Sequence, residues 1–143
     1  MGKVKVEVNL ENAEDRILYL RKYIPETQIR SEKVQILVDS GAIMTVLPQD
    51  LVEKLGLREV KKAVVTYADE RKEERPVAGI VTVRVGDRFS TGNCIVGPPN
   101  SIPLLGQIPL EEMDLLVDCS GQRLIPRPES PYLPLIEIKN LRK

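Results

Sequence analysis

Ile36-Leu37-Val38-Asp39-Ser40-Gly41-Ala42-Ile43-Met44-Thr45-Val46-Leu47 places a carboxylate and a hydroxyl on a tight Gly/Ala turn between two apolar, β-branched runs. Residues 33–38 read as a strand that ends in Asp-Ser-Gly, and residues 43–47 as a second short apolar segment. A second marker, Pro103-Leu104-Leu105-Gly106, lies further on and is followed by a short amphipathic segment.

Working outward, Val4, Val6, Val8 and Leu10 alternate with polar neighbours, the pattern of a half-buried strand. Residues 11–23 fit two readings. Ile17, Leu18, Leu20 and Ile24 could line a short helix, or residues 17–19 could form a strand leading to Pro25. Pro48 suits the first position of a helix over 48–55, and Gly56 suits its left-handed cap. Residues 63–67 and 77–85 read as strands separated by the charged stretch 69–75, and Gly86-Asp87 as a hairpin turn into residues 88–96. Residues 109–113 begin like a helix, with a proline early and two acids in the first turn. Asp118-Cys119-Ser120-Gly121 reads as a turn between short strands at 115–117 and 123–125. The expectation is one all-β domain over residues 1–125, a closed barrel-like fold with one or two short helices, and a proline-punctuated tail over 126–143. The apolar run at 133–138 reads as an edge or intersubunit strand, or as a clamp along the surface.

Composition removes many alternatives. Hydrophobic residues make up 42% of 143, enough for one core. The 21 basic and 21 acidic groups balance, so no global field draws the chain to nucleic acid or an anionic membrane. Four tyrosines and one phenylalanine leave little for base stacking. No apolar run approaches the roughly 20 residues of a membrane span, and the polar start lacks a signal-peptide core, so cytoplasmic residence is expected. Cys94 and Cys119 read as reduced, isolated thiols rather than a staple. With no histidine, Ser-His and Cys-His nucleophiles and the usual mixed zinc sites are unavailable, and acid–base chemistry with water as the nucleophile would need no metal or organic cofactor.

The chemistry left to Asp39 is acid–base work. Asp-Ser-Gly is by itself a common turn whose side chains bond local backbone, and that structural role is the simplest one. One carboxylate with an ordinary pKa of about 4 cannot donate a proton near neutrality. Two facing carboxylates cannot both ionise comfortably, so the pair keeps one proton and holds an acid and a base together. The chain offers a single such turn. Asp118 lacks a matching Asp-Ser-Gly-Ala and a following Leu-Leu-Gly, so a twofold axis bringing Asp39 to Asp39 is more economical than an Asp39–Asp118 pair. Gly41 permits the close turn, Ser40 can donate to backbone across the site, Ala42 allows close chain approach, and Thr45 supports the turn.

The signature Leu37-Val38-Asp39-Ser40-Gly41-Ala42 with Thr45 and Leu47, together with Leu104-Leu105-Gly106-Gln107, resembles the retropepsin-like aspartic proteases. The likeness covers roughly residues 33–125 and is closest to the small prokaryotic members. It implies a homodimeric β-rich peptidase without cofactor, acting on peptides or unfolded protein segments. Asp39 then matches the catalytic aspartate, with Ser40, Gly41, Ala42 and Thr45 in support. Ile43, Met44, Tyr67, Ala68, Asp69, Glu70, Ala78 and Gly79 fall on substrate-binding or flap positions, and Leu104, Leu105 and Gly106 are structural beside the site. Two departures stand out. Viral members carry acids where this chain has Ile43 and Met44, and the flap lacks a glycine at its tip. A non-catalytic dimeric peptide-binding module of the same fold is therefore the alternative function. A structural β domain that assembles through its tail is the third.

Overall fold

The computed structural model describes residues 3–141. Strand β1 (Lys5–Asn12) pairs antiparallel with β2 (Ser31–Val38), with Val6 opposite Ile36. Val4, Val6, Val8 and Leu10 are all buried, so the period-two pattern does face a core. The chain then runs through β3 (Val46–Pro48), helix α2 (Gln49–Lys54), β4 (Arg58–Thr66), β5 (Lys72–Val85), β6 (Arg88–Gly97), β7 (Leu104–Leu105) and helix α3 (Gln107–Met113).

Seven strands form one sheet in the order β1-β2-β7-β3-β6-β5-β4, and β1 also pairs with β5. That extra pairing joins every strand but β4 into an uneven ring, because β7 has only two residues and β3 three. Strand β4 stays outside the ring as an edge partner of β5. A separate two-stranded sheet, β8 (Leu115–Asp118) with β9 (Arg123–Pro126), follows α3.

The ambiguous segment contains helix α1 (Ala13–Leu20), which brings the helices among the described residues to three rather than one or two. Local polar chemistry decides it. The Asn12 side-chain oxygen accepts from the Asp15 N–H at 3.0 Å, and Glu14 and Asp15 sit in the first turn. Asp15 is buried and paired twice with the Arg30 guanidinium, at 2.9 and 3.0 Å. Ile17, Leu18 and Leu20 face solvent instead of the core. Pro48 is the extended residue before α2 rather than its first, and Gly56 takes φ +65° just after it.

The charged stretch 69–75 is not one loop. Its second half belongs to β5, where Glu73 pairs with Val65 and Arg75 with Ala63. Alternation explains this: Lys72 and Glu74 are exposed while Glu73 and Arg75 turn inward. The hairpin β5–β6 turns at Gly86-Asp87 with φ +60° at the glycine, as in a type II′ turn.

Leu10, Ile36, Leu47, Leu55, Leu105 and Met113 are fully buried at the centre. Truncating any one of the leucines to alanine is worth about 2–5 kcal/mol. After β9, the run at 133–138 pairs with no strand among the described residues, and Leu133, Leu135, Ile136 and Ile138 are exposed. No helix among the described residues is long and apolar enough to cross a membrane.

Candidate active site

The Asp39 loop leaves β2 directly from the core. Leu37 and Val38 run parallel to Leu104 and Leu105, and the Asp39 N–H donates to the Leu105 carbonyl at 3.0 Å. Fully buried Ile36 and Leu105 therefore anchor the strand ends from which the half-buried Asp39 projects. The loop then folds on itself. The Asp39 Oδ1 accepts the Gly41 N–H at 2.9 Å, and the Asp39 carbonyl accepts the Ala42 N–H at 3.1 Å.

The far side of the loop hangs from helix α3. Gln107 N–H donates to the Ala42 carbonyl at 2.7 Å and Ile108 N–H to the Ile43 carbonyl at 3.0 Å. These are first-turn amides with no acceptor inside their own helix, so the helix start and the loop satisfy each other. Gly106 permits the contact: a Cβ there would lie 2.5 Å from the Met44 carbonyl carbon and oxygen. At Gly41 a Cβ would stand 3.1 Å from Asp39 Oδ1, so space beside the carboxylate, rather than a left-handed backbone, is what glycine provides.

Residues 39–45 and 104–108 thus form one hydrogen-bonded unit. Thr45 is buried, and its carbonyl takes the Ile95 N–H at 2.9 Å where the loop passes into β3. Ser40 is exposed and lines a cavity of about 390 Å³ with Glu111, Leu116 and Val117, facing the β8–β9 sheet. Ile43 is 68% exposed, while Met44 lines a groove of about 230 Å³ with Ile108, Pro109 and Asn93.

The other expected site residues are spread along the β4–β5 hairpin. Its turn is closed by Tyr67 N–H to the Arg71 carbonyl at 2.8 Å and Glu70 N–H to the Tyr67 carbonyl at 2.9 Å. Ala68, Asp69 and Glu70 are exposed at the tip, and Tyr67 is half-buried. Glu70 takes φ +67°, a conformation that suits glycine far better. Ala78 and Gly79 lie elsewhere: both are buried at the foot of β5 inside the body, and a Cβ on Gly79 would meet Asn93 Oδ1 at 2.2 Å.

Asp118 stands apart from Asp39, at the end of β8 in the separate sheet. The Gly121 N–H, Arg123 and the Ser120 hydroxyl hold its carboxyl down to about 2. An acid fixed in its ionised form by its own turn is a poor partner for sharing a proton.

The inward face of the hairpin carries a polar set that the charged run concealed. Arg75 donates from Nε to the Val96 carbonyl at 2.9 Å and from a terminal nitrogen to Glu73 Oε1 at 3.1 Å. The Tyr67 hydroxyl approaches the same oxygen at 3.4 Å, and the Arg71 guanidinium lies 4.7 Å from the Tyr67 ring centre. Residues 72–75 are all charged, so nothing local in the sequence separates Glu73 and Arg75 from Lys72 and Glu74.

A family model described as "gag-polyprotein putative aspartyl protease" matches residues 26–112, a span that holds the Asp39 loop, the β4–β5 hairpin, Leu104-Leu105-Gly106 and most of α3. No curated protein matches the chain. With well over half of its length covered, the chain belongs to this family of retropepsin-like aspartyl proteases.

Proposed function

We infer that the protein is a homodimeric aspartic endopeptidase that hydrolyses peptides or exposed protein segments. The observation that carries this is the single Asp39 loop. It is pinned on one side by Leu105 and on the other by α3, yet its carboxylate makes no ion pair among the described residues. A second copy of the chain would supply the missing acid across a twofold axis. The β8–β9 sheet beside Ser40, with both outer edges unpaired and Leu116 and Val117 exposed, is the natural place for that copy to join.

The chemistry follows from two Asp39 carboxyls sharing one proton. The ionised member takes a proton from a water, whose oxygen bonds to the scissile carbonyl carbon. The protonated member gives its proton to the carbonyl oxygen, forming a neutral diol. One carboxyl then protonates the amide nitrogen, the C–N bond breaks, and the diol's proton returns to the pair. Ser40 orients the opposite loop, Gly41 and Ala42 leave room for peptide backbone, and the β4–β5 hairpin closes over the substrate to exclude water.

Digestion of a peptide library from acidic to neutral pH, beside Asp39→Asn and with subunit mass measured in solution, tests this reading. Cleavage bounded by two macroscopic ionisations is expected for the wild type, with cleavage abolished and dimers retained in Asp39→Asn. An Asp39→Asn protein that cleaves at the wild-type rate would overturn it. The second reading, a peptide-binding module without hydrolysis, draws on the apolar Ile43 and Met44 and on the unfavourable backbone of Glu70. Saturable peptide binding with no products at any pH would favour it.

A further inference from the structure

Beyond Ser40 and Gly41, the Asp39 loop presents apolar side chains at Ala42, Ile43 and Met44, so an extended peptide beside those three meets no side-chain hydrogen-bond acceptor. The β4–β5 hairpin differs. Its inward face, marked by residues less exposed than their neighbours, carries Ala63, Val65, Tyr67, Glu73 and Arg75. Arg75 shows that this face turns toward the body, because its Nε reaches the Val96 carbonyl on β6. Val96 pairs with Leu47 on β3, the strand into which the Asp39 loop leads, so the root of the hairpin is tied to the catalytic framework.

Glu73 is held from two sides. Its Oε1 takes the Arg75 guanidinium and the Tyr67 hydroxyl, while Oε2 has no protein donor among the described residues. The side chain stays 40% exposed, so the free oxygen is accessible. Arg75 balances its charge and Arg71 lies against Tyr67, which makes a cationic substrate side chain an unfavourable guest. A neutral donor fits better, and an extended peptide offers main-chain N–H groups at every second residue along one edge.

Resting on the peptidase reading above, we propose that Glu73 is a substrate-positioning residue whose Oε2 accepts a main-chain N–H of the bound peptide, with Arg75 and Tyr67 fixing its orientation. The grip is sequence-independent, so it recognises an extended backbone rather than a particular side chain. Substrates are then unfolded or strand-like segments with a free amide beneath the hairpin.

The test uses a peptide that the wild type cleaves in the library digestion, together with analogues N-methylated at single backbone positions. Glu73→Gln should raise KM about tenfold with kcat changed less than about threefold, because a charge-assisted bond becomes a weaker neutral one. One N-methylated analogue should lose at least as much with the wild type, and clearly less with Glu73→Gln, whose neutral bond is already weaker. Glu73→Ala, which removes the acceptor, should be at least as impaired, and Glu73→Asp should recover part of the affinity. Hydrogen exchange across residues 64–74 should be unchanged in Glu73→Gln, since a merely structural role would raise exchange without dependence on peptide methylation. A wild type that cleaves peptides while Glu73→Gln keeps its KM overturns the Glu73 assignment alone. A wild type that cleaves nothing overturns the peptidase reading and this one with it.

Discussion

Gly106 lies flat against the Met44 carbonyl, with space for a hydrogen but not for a Cβ, which would stand 2.5 Å from both the carbonyl carbon and its oxygen. The contact matters because the next two residues, Gln107 and Ile108, donate their amides to Ala42 and Ile43 in the same loop. Helix α3 can hold the Asp39 loop only if the backbone at 106 comes this close.

Gly106→Ala is therefore expected to push α3 off the loop. Backbone atoms cannot yield as a flexible side chain would, so the cost should reach or exceed the ~1–3 kcal/mol typical of overpacking. Lower thermal stability together with loss of cleavage is the expected result. A variant with wild-type melting temperature and activity would show that the helix does not position the loop.

Glu70 occupies a left-handed backbone position, φ +67°, at the tip of the β4–β5 hairpin. Such a conformation costs a side-chain-bearing residue roughly 1–2 kcal/mol, part of which glycine returns through its greater freedom when unfolded. Glu70→Gly should stabilise the closed turn by about 1 kcal/mol. Protection of the Tyr67 and Glu70 amides from exchange should rise about fivefold. Unchanged or reduced protection would count against strain at the tip.

Those two positions also show what could be read from the chain. Strands β1 and β2 and the β5–β6 hairpin were legible because Val4, Val6, Val8 and Leu10 alternate and Gly86-Asp87 is a turn pair. Helix α1 was only one of two open readings, because amphipathic logic assumes the apolar face is buried, whereas Ile17, Leu18 and Leu20 point outward and the helix rests on Asn12 and Asp15. The inner half of the charged run looked like a loop because its charges are satisfied within the hairpin, Glu73 with Arg75 and Lys62 with Glu74. Strand β7 is only two residues long, and its place between β2 and β3 depends on pairings remote in sequence. At the site, Asp39 through Thr45 and Leu104 through Gly106 carried a local signature. Glu73 and Arg75 carried none, because their importance lies in what they reach across the hairpin.

The two thiols should differ sharply in reactivity. Cys94 is fully buried on β6, and burial pushes its thiol up to about 12, whereas Cys119 is exposed on the β8–β9 turn. Only the thiolate attacks a disulfide reagent, and a buried thiol is also out of its reach. Titration of the native protein with such a reagent should modify one cysteine quickly, the second reacting only after denaturation. Two fast equivalents under native conditions would contradict the packing of β6 against the core.

Acid should loosen the tail before it dismantles the seven-stranded sheet. Asp114 ends α3 with φ +57° and is gripped by the Arg127 guanidinium, with Leu135 N–H on its other oxygen at 2.9 Å. These partners, Arg127 foremost, hold its carboxyl well below the usual carboxylate range. A native pKa lower than the unfolded one contributes stability that is complete above the unfolded value of about 4 and fades as pH falls toward the native value. Buried Arg88 donates to the Met113, Asp114 and Ser130 carbonyls, neutral acceptors that acid does not remove. The acid-sensitive step should therefore centre on residues 127–135 rather than on the β6 end of the contact. Arg127→Met should melt below the wild type near neutral pH, and the gap should close as pH drops below the carboxylate range. Hydrogen exchange at Leu135 should rise in the variant at neutral pH, and in the wild type only in acid. A melting difference that stays constant from neutral to strongly acidic pH would mean that Asp114 is not the group Arg127 serves.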